Sequence, residues 1–402
     1  MAANPTASDA GDSRALYVLL LVVFINIAGF GLVLPLLPFY ALAFKISPAL
    51  IGVLFSAFSV GQFLGEPFWG RMSDRIGRRP VLLATIFAGA LTYVAFAFAP
   101  NFAAAVAIRL ASGFLCGNIS TIQGYIADIT PPARRAGRLG LLGSSFSLGF
   151  VTGPGLGGLL AHPSEGTAGF HAPLLAAAAF GLASAAGVLL FVRESRAPRQ
   201  AGTAPQRRTA VLAEALGHPL ISRILVISLI IIAGFAGVEA TFGLWSQSRF
   251  GWGPQQIGFC FMVVGGVAAV TQAAVTGRLV RRFGEVATLV GGLGLIAIGM
   301  TTQGLSPNWQ VATAGFVLVA FGQSLTFPNI AALISKATAP DRQGEMLGLN
   351  MSTGALARIV GPLVATPLFG LAAALPFLSG AALVAGSLWI AAQVGRRLKT
   401  AV

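Results

Sequence analysis

Gly70-Arg-Met-Ser-Asp-Arg-Ile-Gly-Arg-Arg-Pro-Val-Leu82 sets five charges, Arg71, Asp74, Arg75, Arg78 and Arg79, in a short polar break between two apolar stretches. The flanking stretches, residues 48–69 and 81–99, each approach the length of about 20 residues that a helix needs to cross a bilayer. Arginine cannot enter hydrocarbon cheaply, glycine permits a tight reversal, and Pro80 suits the first turn of a following helix. The segment reads as a charged hinge between two membrane helices.

Charge is scarce elsewhere. Only 9% of the 402 residues are charged, 55% are hydrophobic and the mean hydropathy is +0.81, more apolar surface than a water-soluble globule of this size can hide. Spanning-length apolar runs recur at residues 16–40, 48–69, 81–99, 102–127, 139–160, 173–192, 221–246, 254–276, 286–305, 310–335, 346–369 and 376–395. They lack the alternating ten-residue pattern of an outer-membrane barrel. The expected fold is an all-α membrane protein with twelve transmembrane helices.

A formal net charge of +14 suggests nucleic acid until the basic residues are placed. Counting loops alternately from a cytoplasmic N-terminus, Arg14, Arg71, Arg75, Arg78, Arg79, Arg134, Arg135, Arg138, six arginines of the 193–223 connection, Arg278, Arg281, Arg282, Lys336, Arg342, Arg396, Arg397 and Lys399 all fall inside. Of the 26 basic residues only Lys45 and Arg249 fall in outer loops, with Arg109 and Arg358 inside spans. The positive-inside rule selects this orientation, with both termini cytoplasmic, and the basic excess encodes topology rather than nucleic-acid affinity. Cys116 and Cys260 lie alone in apolar spans, which makes neither a disulfide framework nor a metal site. The first apolar stretch runs past Tyr40 with no basic residues ahead of a short core and no small-residue cleavage site, so it reads as a retained helix and not a signal peptide.

The longest polar segment lies between spans six and seven and is rich in Arg, Pro, Ala and Gln, the composition of a linker. The organisation is then a tail at 1–15, a six-helix half at 16–192, a linker at 193–220, a second six-helix half at 221–395 and a tail at 396–402. The halves repeat. Ser47-Pro-Ala-Leu-Ile-Gly52 is echoed by Gly253-Pro-Gln-Gln-Ile-Gly258, Gly70-Arg71…Arg75-Ile-Gly77 by Gly277-Arg278…Arg282-Phe-Gly284, and Gly153-Pro154 by Gly361-Pro362, at offsets of 206, 207 and 208. Two parallel repeats related by an axis along the membrane normal are a transporter architecture, with substrate bound between them near mid-membrane.

Glycines at four-residue spacing in Gly149-Phe-Val-Thr-Gly153-Pro154-Gly-Leu-Gly157-Gly158 allow close backbone contact on one helix face, and the proline allows a kink. Gly153-Pro-Gly155-Leu-Gly157-Gly158 and Gly292-Leu-Gly294-Leu-Ile-Ala297 imitate nucleotide-binding loops, but neither sits in a strand-turn-helix unit.

With these motifs, and with Tyr125-Ile-Ala-Asp-Ile-Thr130 and Ser248-Arg-Phe-Gly-Trp252, the whole chain resembles a drug:proton antiporter of the major facilitator superfamily, in particular the tetracycline efflux proteins. The resemblance implies that the opening motif latches the inner face. Asp74 would dock on the N-terminal end of span eleven and Arg75 would pair with Asp128, with Gly70, Gly77, Arg78 and Arg79 completing the motif and Glu66 joining the inner gate. A carboxylate at a helix N-terminus or paired with arginine is worth about 0.3–2 kcal/mol, which suits a reversible latch. The alternative is a basic loop that only sets topology. The resemblance also makes Gly149, Gly153, Pro154, Gly157 and Gly158 an exporter motif; the alternative is a packing face.

Ionisable groups inside spans cost about 2.5–3.5 kcal/mol each at the membrane centre and need a partner or a wet cavity. Arg109, Glu239 and Arg358 are such groups. Arg109 and Glu239 each lie about seven residues below the outer end of their spans, so they could meet across the interface of the halves. Glu239 is expected to carry the proton, released when Arg109 or Arg358 approaches; the alternative is a permanent ion pair. His162, His171 and His218 lie outside the spans and offer no intramembrane relay.

The tetracycline exporters carry aspartates in spans one, three and nine, where this chain has Asn26, Thr92 and an apolar stretch around Ala297. Neutral side chains do not balance a cationic, metal-chelated drug, so tetracycline itself is not implied. The resemblance makes spans one, four, seven and ten the cavity walls, with Asn26, Asn118, Gln123, Phe242, Trp245, Gln323 and Asn329 as the polar and aromatic candidates for an amphipathic substrate; hydrogen bonding between helices is the alternative for each. The expectation is a monomeric transporter of a bacterial inner membrane, with no cofactor, no metal and no enzymatic activity, exporting a small compound against inward proton flow. A proton-independent facilitator, a sugar or metabolite exporter, and a non-transporting membrane sensor are the alternatives.

Overall fold

The computed structural model describes residues 7–195, 208–339 and 342–400. Residues 196–207 of the expected linker, residues 1–6 of the first tail and residues 401–402 of the last lie outside them. Sixteen helices follow in order: α1 (Ala7–Val33), α2 (Leu37–Ala43), α3 (Ile51–Ile76), α4 (Arg78–Ala97), α5 (Phe102–Cys116), α6 (Ile119–Asp128), α7 (Pro132–Leu160), α8 (His171–Phe191), α9 (Arg208–Gly217), α10 (Pro219–Phe250), α11 (Pro254–Val270), α12 (Gly277–Phe283), α13 (Glu285–Gly304), α14 (Trp309–Lys336), α15 (Gln343–Leu371) and α16 (Leu375–Thr400). No strand occurs among the described residues. Eleven helical stretches among the described residues are long and apolar enough to cross a membrane, and the 29-residue α7 occupies the remaining expected place. The expected linker carries a helix of its own, α9, and the C-terminal tail continues α16 to Thr400.

The chain packs as two units: Met1–Leu36 with Ala57–Thr203, and Leu37–Ser56 with Ala204–Val402. The division differs from the sequence halves in one place, because Leu37–Ser56 joins the C-terminal unit. There Ser56 Oγ donates to Ile359 O at 2.7 Å and Thr366 Oγ1 to Ala49 O at 2.9 Å. The repeat is visible in backbone detail. Gly77 and Gly284 start α4 and α13 with φ of 104° and 81°, conformations that L side chains avoid. Asn101 and Asn308, which carry the same offset, cap α5 and α14 by accepting from Ala104 N and Val311 N, a role asparagine fills well.

Glycine sets the helix spacing in the first unit. Gly149, Gly153 and Gly157 press α7 onto α1 at Ile27, Ala28 and Leu32, while Gly61, Gly65, Gly113 and Gly117 draw α3 and α5 together. Without a hydrophobic drive between helices in lipid, such backbone contact is a main source of association. Around it Leu19, Val22, Leu82, Ile86, Ile126 and Val188 form a buried apolar cluster. A Cβ at residue 153 would meet Leu32 N at 2.9 Å. Gly153→Val is therefore expected to cost about 1–3 kcal/mol by overpacking, read as a lowered thermal midpoint of the purified protein in detergent. An unchanged midpoint would mean that α1 and α7 do not touch there.

Candidate functional site

The opening motif is more helical than a hinge. Helix α3 runs through Gly70 to Ile76 and α4 starts at Arg78, so the reversal is a single residue, Gly77. Asp74 and Arg78 thereby face one another across the turn. The Arg78 guanidinium donates through Nη2 to Asp74 Oδ1 at 2.9 Å, through Nε to Asp128 Oδ2 at 3.2 Å and through Nη1 to Ser73 Oγ at 2.6 Å. Its side chain is only 9% exposed, against 26% for Asp128 and 51% for Asp74. Arg75 is exposed, so the pairing expected of Arg75 with Asp128 is corrected: Arg78 makes it. The register decides this, because the last turn of α3 points Arg75 outward while the start of α4 points Arg78 back at α6. Hydrogen bonds to charged groups contribute about 1.5–3 kcal/mol each, less for the half-exposed Asp74.

Glu66 sits deeper on the same helix. It lies ten residues before the end of α3, about 15 Å deeper along the axis, where span four is broken between α5 and α6. Its Oε2 accepts from Ser120 N at 3.3 Å and its carbonyl from Ser120 Oγ at 3.3 Å, while Trp69 Nε1 donates to Phe114 O at 2.7 Å. Backbone groups freed inside a membrane must be satisfied by neighbours, and α3 supplies an acceptor and a donor on the two sides of the break. Glu66 thus braces the break in span four, and its expected part in the inner gate stands beside this contact as a proposal.

The ionisable residues of the spans divide between the units. Arg109 is 2% exposed, its guanidinium 4.5 Å from the Phe58 ring centre and 5.8 Å from that of Phe96, a cation–π setting that eases burial. Glu239, half-buried on α10, lies in the second unit and feels the charge of Arg358, which is exposed on α15.

Of the substrate candidates, Asn26 and Asn118 are brought together. Both line a small cavity with Thr85, Tyr93 and Cys116, and Asn118 Nδ2 donates to Thr85 Oγ1 at 2.9 Å. Gln123 is exposed on α6. Gln323 on α14 has a shielded Nε2 with no hydrogen-bond partner, as has Oδ1 of Asn350 on α15, a residue that sequence reasoning passed over. Asn329 is 2% exposed and donates to Leu325 O one turn back. Phe242 and Trp245, 0% and 2% exposed, are locked in an aromatic cluster with Phe250, Trp252, Phe261, Phe316 and Phe377. Their expected place on a cavity wall is corrected, since they pack the interior of the second unit. Thr92 accepts from Ser112 Oγ at 2.6 Å. Of the glycine-rich run on α7, Gly153, Pro154, Gly157 and Gly158 are buried, and Gly149 also abuts α1.

The profile of the Major Facilitator Superfamily matches residues 19–362 and 250–400. The chain belongs to the Major Facilitator Superfamily. It is a superfamily transporter and not an enzyme. It is 31% identical to the class C tetracycline resistance protein of Escherichia coli, over 92% of this chain and 95% of that one, and 27% identical to multidrug resistance protein 2 of Bacillus subtilis (strain 168), over 91% and 92%. Among solved structures it resembles the human organic anion transporter MFSD10 (TETRAN), with 27% identity, 94% and 99% coverage and a TM-score of 0.70. A bacterial homolog of the lysosomal transporter Spinster shares the fold of this superfamily transporter at 15% identity and a TM-score of 0.78.

Proposed function

We propose that this transporter exports a small amphipathic, drug-like compound by alternating access in exchange for protons, acting as a monomer in a bacterial inner membrane with both termini in the cytoplasm. The observation that carries the reading is Glu239, a carboxylate held within a span where a charge needs a reason, under the influence of Arg358 in the same unit. Arg109 is the third member of the proposed coupling set. The resistance names of its relatives from Escherichia coli and Bacillus subtilis support the outward direction and a bacterial membrane. The skew of arginine toward the inner loops supports the orientation. Gly70, Asp74, Gly77, Arg78, Arg79 and Asp128 form the proposed inner gate, and Asn26, Asn118 and Gln323 the proposed polar contacts for substrate.

The test is transport in inside-out vesicles with an imposed pH gradient, screened over cationic dyes and antibiotics. Uptake that collapses with the gradient supports the reading, and pH-independent movement points to a facilitator. A second reading has its own observation. Arg109 and Arg358 place two cations in the spans, and the structural relative MFSD10 is named an organic anion transporter. Anionic dyes in the same vesicles decide between the two.

A further inference from the structure

After α8 ends at Phe191, Val192 turns extended, with φ of −95° and ψ of 118°. Arg193, Glu194 and Ser195 then lie over the turn between α3 and α4. Glu194 Oε1 accepts from Arg78 N at 2.9 Å and Oε2 from Arg79 N at 3.0 Å. These are the first two amides of α4, groups that a helix cannot satisfy internally, at the end where the helix dipole favours an anion. The carboxylate occupies the space that a Cβ on Gly77 would need, so the glycine serves the contact as well as the turn.

Two further bonds hold the segment there, and a third ties Arg79 to the last turn of α8. Tyr125 OH donates to Arg193 O at 2.8 Å, Arg79 Nη2 to Leu189 O at 2.7 Å, and Ser195 Oγ to Asp128 Oδ2 at 3.3 Å. Arg78 is thus gripped twice, its main chain by Glu194 and its guanidinium by Asp74, Asp128 and Ser73. Asp128 in turn receives both Arg78 and Ser195.

We propose that Glu194 is a positioning residue of the inner gate. By binding both leading amides of α4 it fixes Arg78 where its guanidinium bridges Asp74 and Asp128, and it ties the start of the linker to that cluster. The proposal rests on the reading of Gly70–Arg79 as a gate. The linker is then more than a spacer, because a pull on its first residues is delivered to Arg78.

Hydrogen exchange on the full-length protein in nanodiscs, comparing wild type with Glu194→Gln and Glu194→Ala, tests it. In the alanine variant the Arg78 and Arg79 amides are expected to exchange about tenfold faster, with protection also falling in 70–76 and 125–130 as Arg78 loosens. Glutamine keeps one acceptor oxygen and is expected to fall between. In proteoliposomes the alanine variant is expected to lose about tenfold in maximal rate with KM within about twofold, and glutamine to recover part of that loss. Unchanged exchange at Arg78 and Arg79 overturns the contact. Faster exchange confined to α4, or an unaltered maximal rate, reduces Glu194 to a local helix cap and overturns the positioning role. The exchange measurement needs no substrate, so a wild type that moves none of the compounds tested counts against the export reading alone.

Discussion

Replacing Glu239 by glutamine is expected to abolish proton-driven accumulation of substrate in vesicles while leaving substrate binding within about twofold of wild type. Glutamine matches glutamate in size and keeps a hydrogen-bond acceptor, so the local packing of α10 survives and only the exchangeable proton is lost. One charge crossing 100 mV supplies about 2.3 kcal/mol, and at about 1.4 kcal/mol per tenfold that sustains a gradient of roughly 40–50-fold. The variant should let substrate equilibrate, if it moves at all, and the gradient should vanish whatever pH difference is imposed. Arg358→Ala provides the companion measurement, because it removes the charge that acts on Glu239 and is expected to shift the pH dependence of transport rather than erase it. Coupling that persists in Glu239→Gln would assign the proton to another group and leave Glu239 a structural residue.

Arg78→Gln is expected to lower turnover at least about tenfold with membrane insertion unchanged, whereas Arg75→Gln is expected to stay within about twofold of wild type. The contrast rests on burial. Arg78 is nearly covered and joins two carboxylates on different helices, so its loss removes the cation that Asp74 and Asp128 share. Arg75 is exposed and retains its value as a topology signal. Asp74→Asn is expected to lie between them, since Asp74 is half-exposed. Transport rate normalised to protein in the membrane decides the order, and equal losses for Arg75 and Arg78 would return the motif to a topology signal.

Twelve apolar runs, one polar break rich in arginine and a repeat near 207 residues made the helical bundle legible, because lipid forces spanning segments to be long and uninterrupted in hydrophobicity. The same uniformity hid the break in span four. Phe114-Leu-Cys-Gly-Asn118 contains no proline and reads as one more stretch of membrane helix; only the positions of Glu66 and Trp69 on a neighbouring helix reveal what satisfies the open backbone. The choice between Arg75 and Arg78 was equally invisible, since both lie within four residues of Asp74 and only the helix boundary at Gly77 decides which turns toward Asp128. Phe242 and Trp245 satisfied a chemical description of a cavity wall, yet helix rotation turned them inward. A signal for Glu194 did exist: a lone acid between Arg193 and Arg196 in an otherwise basic stretch.

The placement of Leu37–Ser56 with the later helices has a consequence for anyone dividing the gene. Cutting at the linker yields two fragments of equal helix number, but the second would lack the piece whose Ala49 carbonyl receives Thr366 and whose Ser56 reaches Ile359. That fragment would present a bare seat on α15, polar where it should be closed. The order in which the ribosome makes the chain and the order in which its surfaces meet are different, since Ala49 and Ser56 are made about 300 residues before the α15 groups they bond.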